Sequence, residues 1–232
     1  MMPRISHYLA ISLVLVASLM PLEARGQTIP SPYRFMENRQ EAGLFLGMAN
    51  SGTGRFGYGP GSSPVFGGRY GLHLAGPFAL EGVIGFQPTT RDIIDPDREE
   101  GNRVVGEADA QILSLDARIR FSLTGDRTWH GIHPFVFVGI GSGWDLAGES
   151  EQDGLLLPED QWQYGTKFLA PFGGGFRWIL SNRFLVRGDF TVMLYRLTTP
   201  AGYFETDRGF TGVGEKEWVN APTFSLGLGY HF

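Results

Sequence analysis

The sequence predicts an all-β chain: an eight-stranded antiparallel up-and-down β-barrel that crosses a membrane after a signal peptide is cleaved. Three observations carry that reading. Residues 1–26 have the parts of a secretory signal. Eight later segments alternate apolar with small or polar residues at a period of two, which puts each set on one face of a strand. The connections between those segments are alternately long and short, the asymmetry of a membrane barrel with external loops and periplasmic turns.

The signal comes first. Arg4 precedes an apolar run over 8–20, and Pro21 breaks that run. About thirteen residues are too few to cross roughly 30 Å of hydrocarbon as a helix. Ala24 and Gly26 supply the small residues a signal peptidase reads, so cleavage is expected before Gln27, with the bond after Ala24 as the alternative. The residue after the cut is not Cys, which argues against a lipoprotein. Residues 27–40 read as a periplasmic lead-in and 41–232 as the barrel.

Composition excludes several classes. There is no cysteine, so neither a disulfide framework nor a thiolate metal site is available. Without the signal the chain carries a net charge of −6, from 17 Lys and Arg against 23 Asp and Glu, which disfavours nucleic acid as a partner. No later stretch approaches eighteen consecutive apolar residues, so a membrane form has to be a closed barrel that satisfies its own backbone.

The strands follow in order. The first, 42–50, sets Leu44, Leu46 and Met48 against Gly43, Gly47 and Ala49. The second, 65–75, sets Tyr70, Leu72 and Leu74 against Arg69, Gly71 and His73. Gly76-Pro77 turns the chain into the third, 78–87, where Leu80, Ile84 and Phe86 oppose Glu81, Gly85 and Gln87. Residues 88–109 are read as a long polar loop, too charged for a strand. The fourth strand, 110–123, alternates Leu113, Leu115, Ala117, Ile119 and Phe121 with Ser114, Asp116, Arg118 and Arg120. A middling connection, 124–133, leads to the glycine-rich fifth strand, 134–146, with Val136, Val138, Ile140 and Trp144 on one face. An acidic loop over 147–165 precedes the sixth strand, 166–180, with Phe168, Phe172, Phe176 and Trp178 opposite Gly173, Gly175 and Arg177. Ser181-Asn182-Arg183 is a short turn. The seventh strand, 184–197, sets Val186, Phe190, Val192 and Leu194 against Arg187, Asp189 and Thr191. After a last loop, 198–218, the eighth strand alternates Phe224, Leu226, Leu228, Tyr230 and Phe232 with Thr223, Ser225, Gly227, Gly229 and His231. The loop pattern places both termini in the periplasm.

A soluble sandwich or lipocalin-like barrel would show the same alternation with its apolar face inside. Glycine decides between them. Gly139, Gly141, Gly143, Gly173, Gly175, Gly227 and Gly229 share the polar face, where a solvated sheet has no use for them. A narrow lumen does, because small residues make room for long charged side chains from across the barrel. Two aromatic rings are also expected at the membrane interfaces: Phe78, Phe121, Trp178, Phe184, Tyr230 and Phe232 at the periplasmic end, and Phe66, Phe86, Trp144, Trp162 and Trp218 at the external end.

Three stretches, with the eight-strand layout, resemble the outer-membrane β-barrel domain family related to OmpX, OmpW and the transmembrane part of OmpA. They are Pro134-Phe135-Val136-Phe137-Val138-Gly139-Ile140-Gly141, Gly173-Gly174-Gly175-Phe176-Arg177-Trp178, and the terminal run from Phe224 to Phe232. The resemblance implies a Gram-negative outer-membrane location, contact with outer-membrane lipid and lipopolysaccharide, and a C-terminal strand read by the barrel-assembly machinery through Phe224, Leu226, Leu228, Tyr230 and Phe232. The chain has no peptidoglycan-binding domain after the barrel, so wall anchoring is not implied.

The best constellation is the set of lumen charges: Arg69, Glu81, Asp116, Arg118, Arg120, Arg177, Arg187 and Asp189. Buried charges must pair, so these are expected to form a polar plug; a gated narrow pore for small solutes or ions is the alternative. The acidic loops lack the spacing of a calcium-binding EF-hand, so no metal is expected and the loops read as solvated. A lipid A acyl-modifying enzyme is a remote third possibility. His130 and His133 fall in a connection, His231 at the periplasmic end, and His73 alone within a strand. With no nucleophile elbow or nucleotide loop either, no catalytic residue or cofactor is expected. The predicted role is a non-enzymatic envelope protein that is structural or binds through its loops.

Overall fold

The computed structural model describes residues 31–35, 39–148 and 150–232. The expected signal peptide lies outside them, and so does part of the lead-in.

Among the described residues there are ten strands: β1 (Tyr33–Phe35), β2 (Gln40–Ala49), β3 (Ser63–Ala75), β4 (Phe78–Ile94), β5 (Val104–Ser122), β6 (Arg127–Trp129), β7 (Ile132–Asp145), β8 (Lys167–Ile179), β9 (Phe184–Thr198) and β10 (Lys216–His231). Eight of them, β2–β5 and β7–β10, pair antiparallel in a closed ring, with β10 returning to β2 and β7 to β8. Closure pairs the strands around the ring, apart from the upper ends of β8 and β9 beyond Ala170↔Leu194, so the backbone within the belt finds its partners without water. The seam is long: β10 meets β2 from Thr223↔Ala49 to His231↔Glu41.

The two faces differ as a membrane barrel requires. Leu44, Leu46, Met48, Ile84, Leu115, Ile119, Val138, Ile140, Phe190, Phe224, Leu226 and Leu228 are all exposed on the outside. Leu44 keeps 73% of its surface open. A continuous exposed apolar belt of that extent has only lipid as a compatible solvent. Phe78, Phe121, Trp178, Phe184, Tyr230 and Phe232 ring the end with the short turns, and Phe66 and Trp218 are exposed towards the loop end. Trp162 is not in that ring. It is 5% exposed and belongs to a core above the barrel.

Two turns show why the chain reverses where it does. Gly76 adopts φ 55° between β3 and β4, and His130-Gly131, at φ 50° and 80°, makes the two-residue turn between β6 and β7. Consecutive positive φ values are what a tight hairpin needs to match strand twist. The stretch read as a plain connection, 124–133, therefore contains a strand. β6 pairs with β1 from the lead-in, Tyr33 opposite Trp129.

The reading of 88–109 as a loop is also corrected. β4 and β5 stay paired up to Ile94↔Val104. Alternation continues above the membrane, with Arg91, Ile93, Ala108 and Ala110 buried and Asp92, Glu107 and Asp109 exposed. Charge is no obstacle to a strand whose outer face meets water; it rules out only a lipid-facing one. β10 likewise starts at Lys216, earlier than its apolar alternation suggested.

Candidate functional site

The lumen is filled in layers. Arg69 on β3, Glu81 on β4, Asp116, Arg118 and Arg120 on β5, Arg177 on β8, and Arg187 and Asp189 on β9 are all buried inside the barrel. The structure brings all eight together, and it adds Glu41 from β2, His133 from β7 and His231 from β10.

Arg187 is the hub. Its Nη1 lies 2.8 Å from Glu81 Oε1, and its Nε donates to Asp189 Oδ1 at 2.9 Å. Arg69 Nη1 reaches the same Asp189 at 2.6 Å, and Arg120 Nη1 donates to Glu81 Oε2 at 3.2 Å. Arg120 also approaches Glu41 at 3.5 Å, which links the middle layer to the one nearest the turns. There Arg177 Nη2 donates to Glu41 Oε2 at 2.5 Å and to His231 Nε2 at 2.8 Å. Arg177 Nη1 donates to His133 Nδ1 at 3.0 Å, and His133 Nε2 faces the Gly125 carbonyl at 2.9 Å. That arrangement suits a neutral His133 with its proton on Nε2. Arg118 grips Asp116 through two nitrogens on the same strand, two residues apart and so on one face. Five arginines thus meet four carboxylates, and each charged group has an opposite partner. Pairs of this kind are costly to form and more costly to break, because removing one partner strands a buried charge for about 3–5 kcal/mol.

Phenyl rings pack between the guanidiniums. Arg187 Cζ sits 4.4 Å from the centroid of Phe135, Arg118 Cζ 4.7 Å from Phe137, and Arg69 Cζ 4.8 Å from Phe45. This refines the role expected for the lumen glycines. A Cβ on Gly175 would first run into the Gly188 carbonyl and then come 3.0 Å from the Phe135 ring; one on Gly173 would first meet the Phe190 carbonyl and then come 3.1 Å from Phe137. At Gly139 the Ala117 carbonyl at 2.5 Å comes before the Arg118 side chain at 2.9 Å, so these glycines first allow close approach of the adjacent strand and then leave room for the rings and guanidiniums.

A cavity of about 90 Å³ lies on the loop side of the plug, walled by Arg69, Asp116 and Arg118 together with Ser114, Thr191 and Ser225. Above that again the long loops fold into an apolar cap, with Tyr58, Trp162, Tyr203 and Phe210 packed on Tyr164, Tyr195 and Leu197. Phe56 and Tyr203 stand 4.7 Å apart between centroids, Tyr203 and Phe210 5.0 Å, and Tyr58 and Trp162 5.5 Å. Burial pushes the Tyr58 phenol up to about 12, with the nearby Glu217 charge adding to it and the Thr199 hydrogen bond opposing. The acidic loop over 147–165 is not simply solvated. Asp153 is buried against Arg91, and Asp160 is buried 2.5 Å from Arg208 Nη1. Among the described residues no cluster of His, Cys, Asp or Glu is arranged to hold a metal ion.

Sequence reasoning missed Glu41, His133, Phe45, Phe135 and Phe137 in the lumen. Strand parity could have found them, since each continues the inward face of its strand. The placement of His133 in a connection is corrected: it is the second residue of β7. The cap had no such signal.

Fold and lumen together define an integral membrane β-barrel with a salt-bridged interior. No protein-family model and no curated protein matches the sequence. Among solved structures the chain is similar to the outer membrane protein OprG from Pseudomonas aeruginosa, at 15% identity over 84% of this chain and 97% of that one, with a TM-score of 0.46. It is similar also to the N-terminal β-barrel domain of Pseudomonas aeruginosa OprF, at 15% identity over 84% and 98%, TM-score 0.43. A third is Neisserial surface protein A, at 12% identity over 87% and 98%, TM-score 0.43.

Proposed function

We propose that this protein is a non-enzymatic, non-conducting barrel of a Gram-negative outer membrane, with its short turns and both termini of the chain in the periplasm. Its role is to stabilise the envelope or to bind through the ordered cap that its external loops form. The observation that carries the reading is the Arg187–Glu81–Asp189–Arg69 cluster. It draws on three strands, β3, β4 and β9, and occupies the middle of the lumen. An eight-stranded barrel has an interior only wide enough for side chains, so a network that joins opposite walls leaves no continuous water path. The terminal Phe224-to-Phe232 face, which lies outward, is the part proposed to be handled by the barrel-assembly machinery.

The test is solute uptake by vesicles that contain the purified protein. Swelling in small sugars or amino acids no faster than in protein-free vesicles supports the closed lumen. Rapid swelling that Arg118→Gln or Arg187→Gln abolishes would make the charges part of a pore and end the proposal.

A further inference from the structure

The outer wall carries an asymmetry of charge that neither the lumen nor the cap explains. Upward along the outside of β9 the residues run Phe190, Val192, Leu194 and then Arg196 and Thr198. On β10 the corresponding run is Phe224, Pro222, Asn220, Trp218 and Lys216. The apolar belt thus gives way to cations at one level, immediately above exposed Phe168 and Trp218. Register places Trp218 opposite Arg196 and Lys216 opposite Thr198. Arg196 lies flat over the indole, its Cζ 4.4 Å from the ring centroid. The β8–β9 ladder ends at Ala170↔Leu194, and in the gap above it Lys167 reaches across to donate to Thr198 Oγ1 at 3.3 Å.

Lys167, Arg196 and Lys216 line one concavity of about 480 Å³ that has no carboxylate on its walls. None of the three has an acidic partner within 4.0 Å among the described residues. For Lys167 that is unusual, because its residue is only 7% exposed and a buried ammonium ordinarily finds a counter-charge. On β4 and β5, by contrast, the exposed residues beyond the belt include Asp92, Glu107 and Asp109. A chain of net charge −5 has therefore gathered three cations without an acidic partner around one concavity at the loop-side edge of β8, β9 and β10.

We propose that Lys167, Arg196 and Lys216 bind the phosphate group of a lipid in the membrane leaflet at the loop end. The three donors supply the charge, Phe168 and Trp218 lie against the upper acyl chains, and Arg196 is held in place by its stacking on Trp218. A lipid is favoured over free phosphate because the concavity opens beside the aromatic rim, where an acyl chain adds contact that an inorganic ion lacks. Lys167 shares the inward face of β8 with Leu169 and reaches the concavity through the gap between β8 and β9, above the lumen charges, so the proposal rests on the membrane-barrel reading but not on whether the lumen conducts.

The test uses the full protein in nanodiscs of phosphatidylcholine with or without phosphatidic acid, and native mass spectrometry to count lipids retained after release. The wild type is expected to retain phosphatidic acid over phosphatidylcholine. Each removed cation should weaken that preference roughly fivefold, so Arg196→Gln with Lys216→Gln should lower it about thirtyfold, while Arg196→Lys keeps most of it. Lys216→Gln alone, an exposed change that leaves the ladder intact, should show the single step. Equal retention by wild type and double variant overturns the proposal. Displacement of the lipid by inorganic phosphate at equal concentration overturns the lipid source.

Discussion

The lower lumen and the loop cap solve the same problem, closing a barrel end, with opposite chemistry. The lumen plug is ionic and is built from strand residues whose direction the ladder fixes. Arg187, Glu81 and Asp189 can point only inward once β4 and β9 are in register. The cap is apolar and is built from loop residues, Tyr58, Trp162, Tyr203 and Phe210, brought together from three separate connections. The plug is rigid because the wall is rigid, and its strength comes from charges that cannot separate. The cap depends on aromatic packing among loop residues and on the upper strand residues Tyr195 and Leu197 beneath them. On the proposal of an ion-paired plug, closure of this barrel does not depend on its loops.

The largest effect should follow a break in the plug. Glu81→Ala leaves Arg120 and Arg187 facing one another without their shared carboxylate. A loss of about 3–5 kcal/mol is expected in denaturant titration of the folded barrel in lipid, measured as loss of strand signal. A loss below about 1 kcal/mol would mean that the network contributes little and the plug is not under tension.

Next comes the cap. Tyr203→Ala removes a fully buried ring that touches Phe56, Tyr58 and Phe210, a truncation worth about 3 kcal/mol in a packed core. The contrast predicts where that loss appears. Protease should cut the external loops far faster while the strands keep their wild-type denaturation midpoint. A matching fall in the barrel midpoint would show that cap and wall are one cooperative unit.

The smallest effect is on pH. The Tyr58 phenol is raised from 10.0 to about 12 in the folded cap. A raised pKa means that the folded form resists ionisation, so the unfolded cap gains as the phenol ionises. The Tyr58 contribution is therefore complete below about pH 10 and is lost as pH rises from 10 towards 12. Loop cleavage should accelerate across that interval, and Tyr58→Phe should reduce the dependence, the buried phenol of Tyr203, also raised by burial, carrying part of the rest. An unchanged profile in Tyr58→Phe would assign the alkaline opening to other groups.

The same contrast explains what was legible in the sequence. A period of two tells inside from outside, so all eight charges from Arg69 to Asp189 could be placed in the lumen from strand parity. Parity continues through Glu41, Phe45 and His133, of which Glu41 and His133 are second residues of their strands, just outside the apolar alternation, and Phe45 is an inward ring between outward leucines. The hairpin above Gln87 was hidden by its acidic residues, although Arg91, Ile93, Ala108 and Ala110 keep the alternation. The cap was not legible at all. Tyr58, Trp162 and Tyr203 lie about 40 to 100 residues apart in loops with no periodicity, and only closure of the barrel makes them neighbours.

The central claim is that the lumen is shut by its own ion pairs, and single-channel recording of the purified protein in planar bilayers tests it most directly. Wild type, and wild type with its loops trimmed by protease, should both stay silent under applied voltage, whereas Glu81→Ala should leak. Discrete openings in the wild type that vanish when Arg187 is replaced by Gln would contradict it.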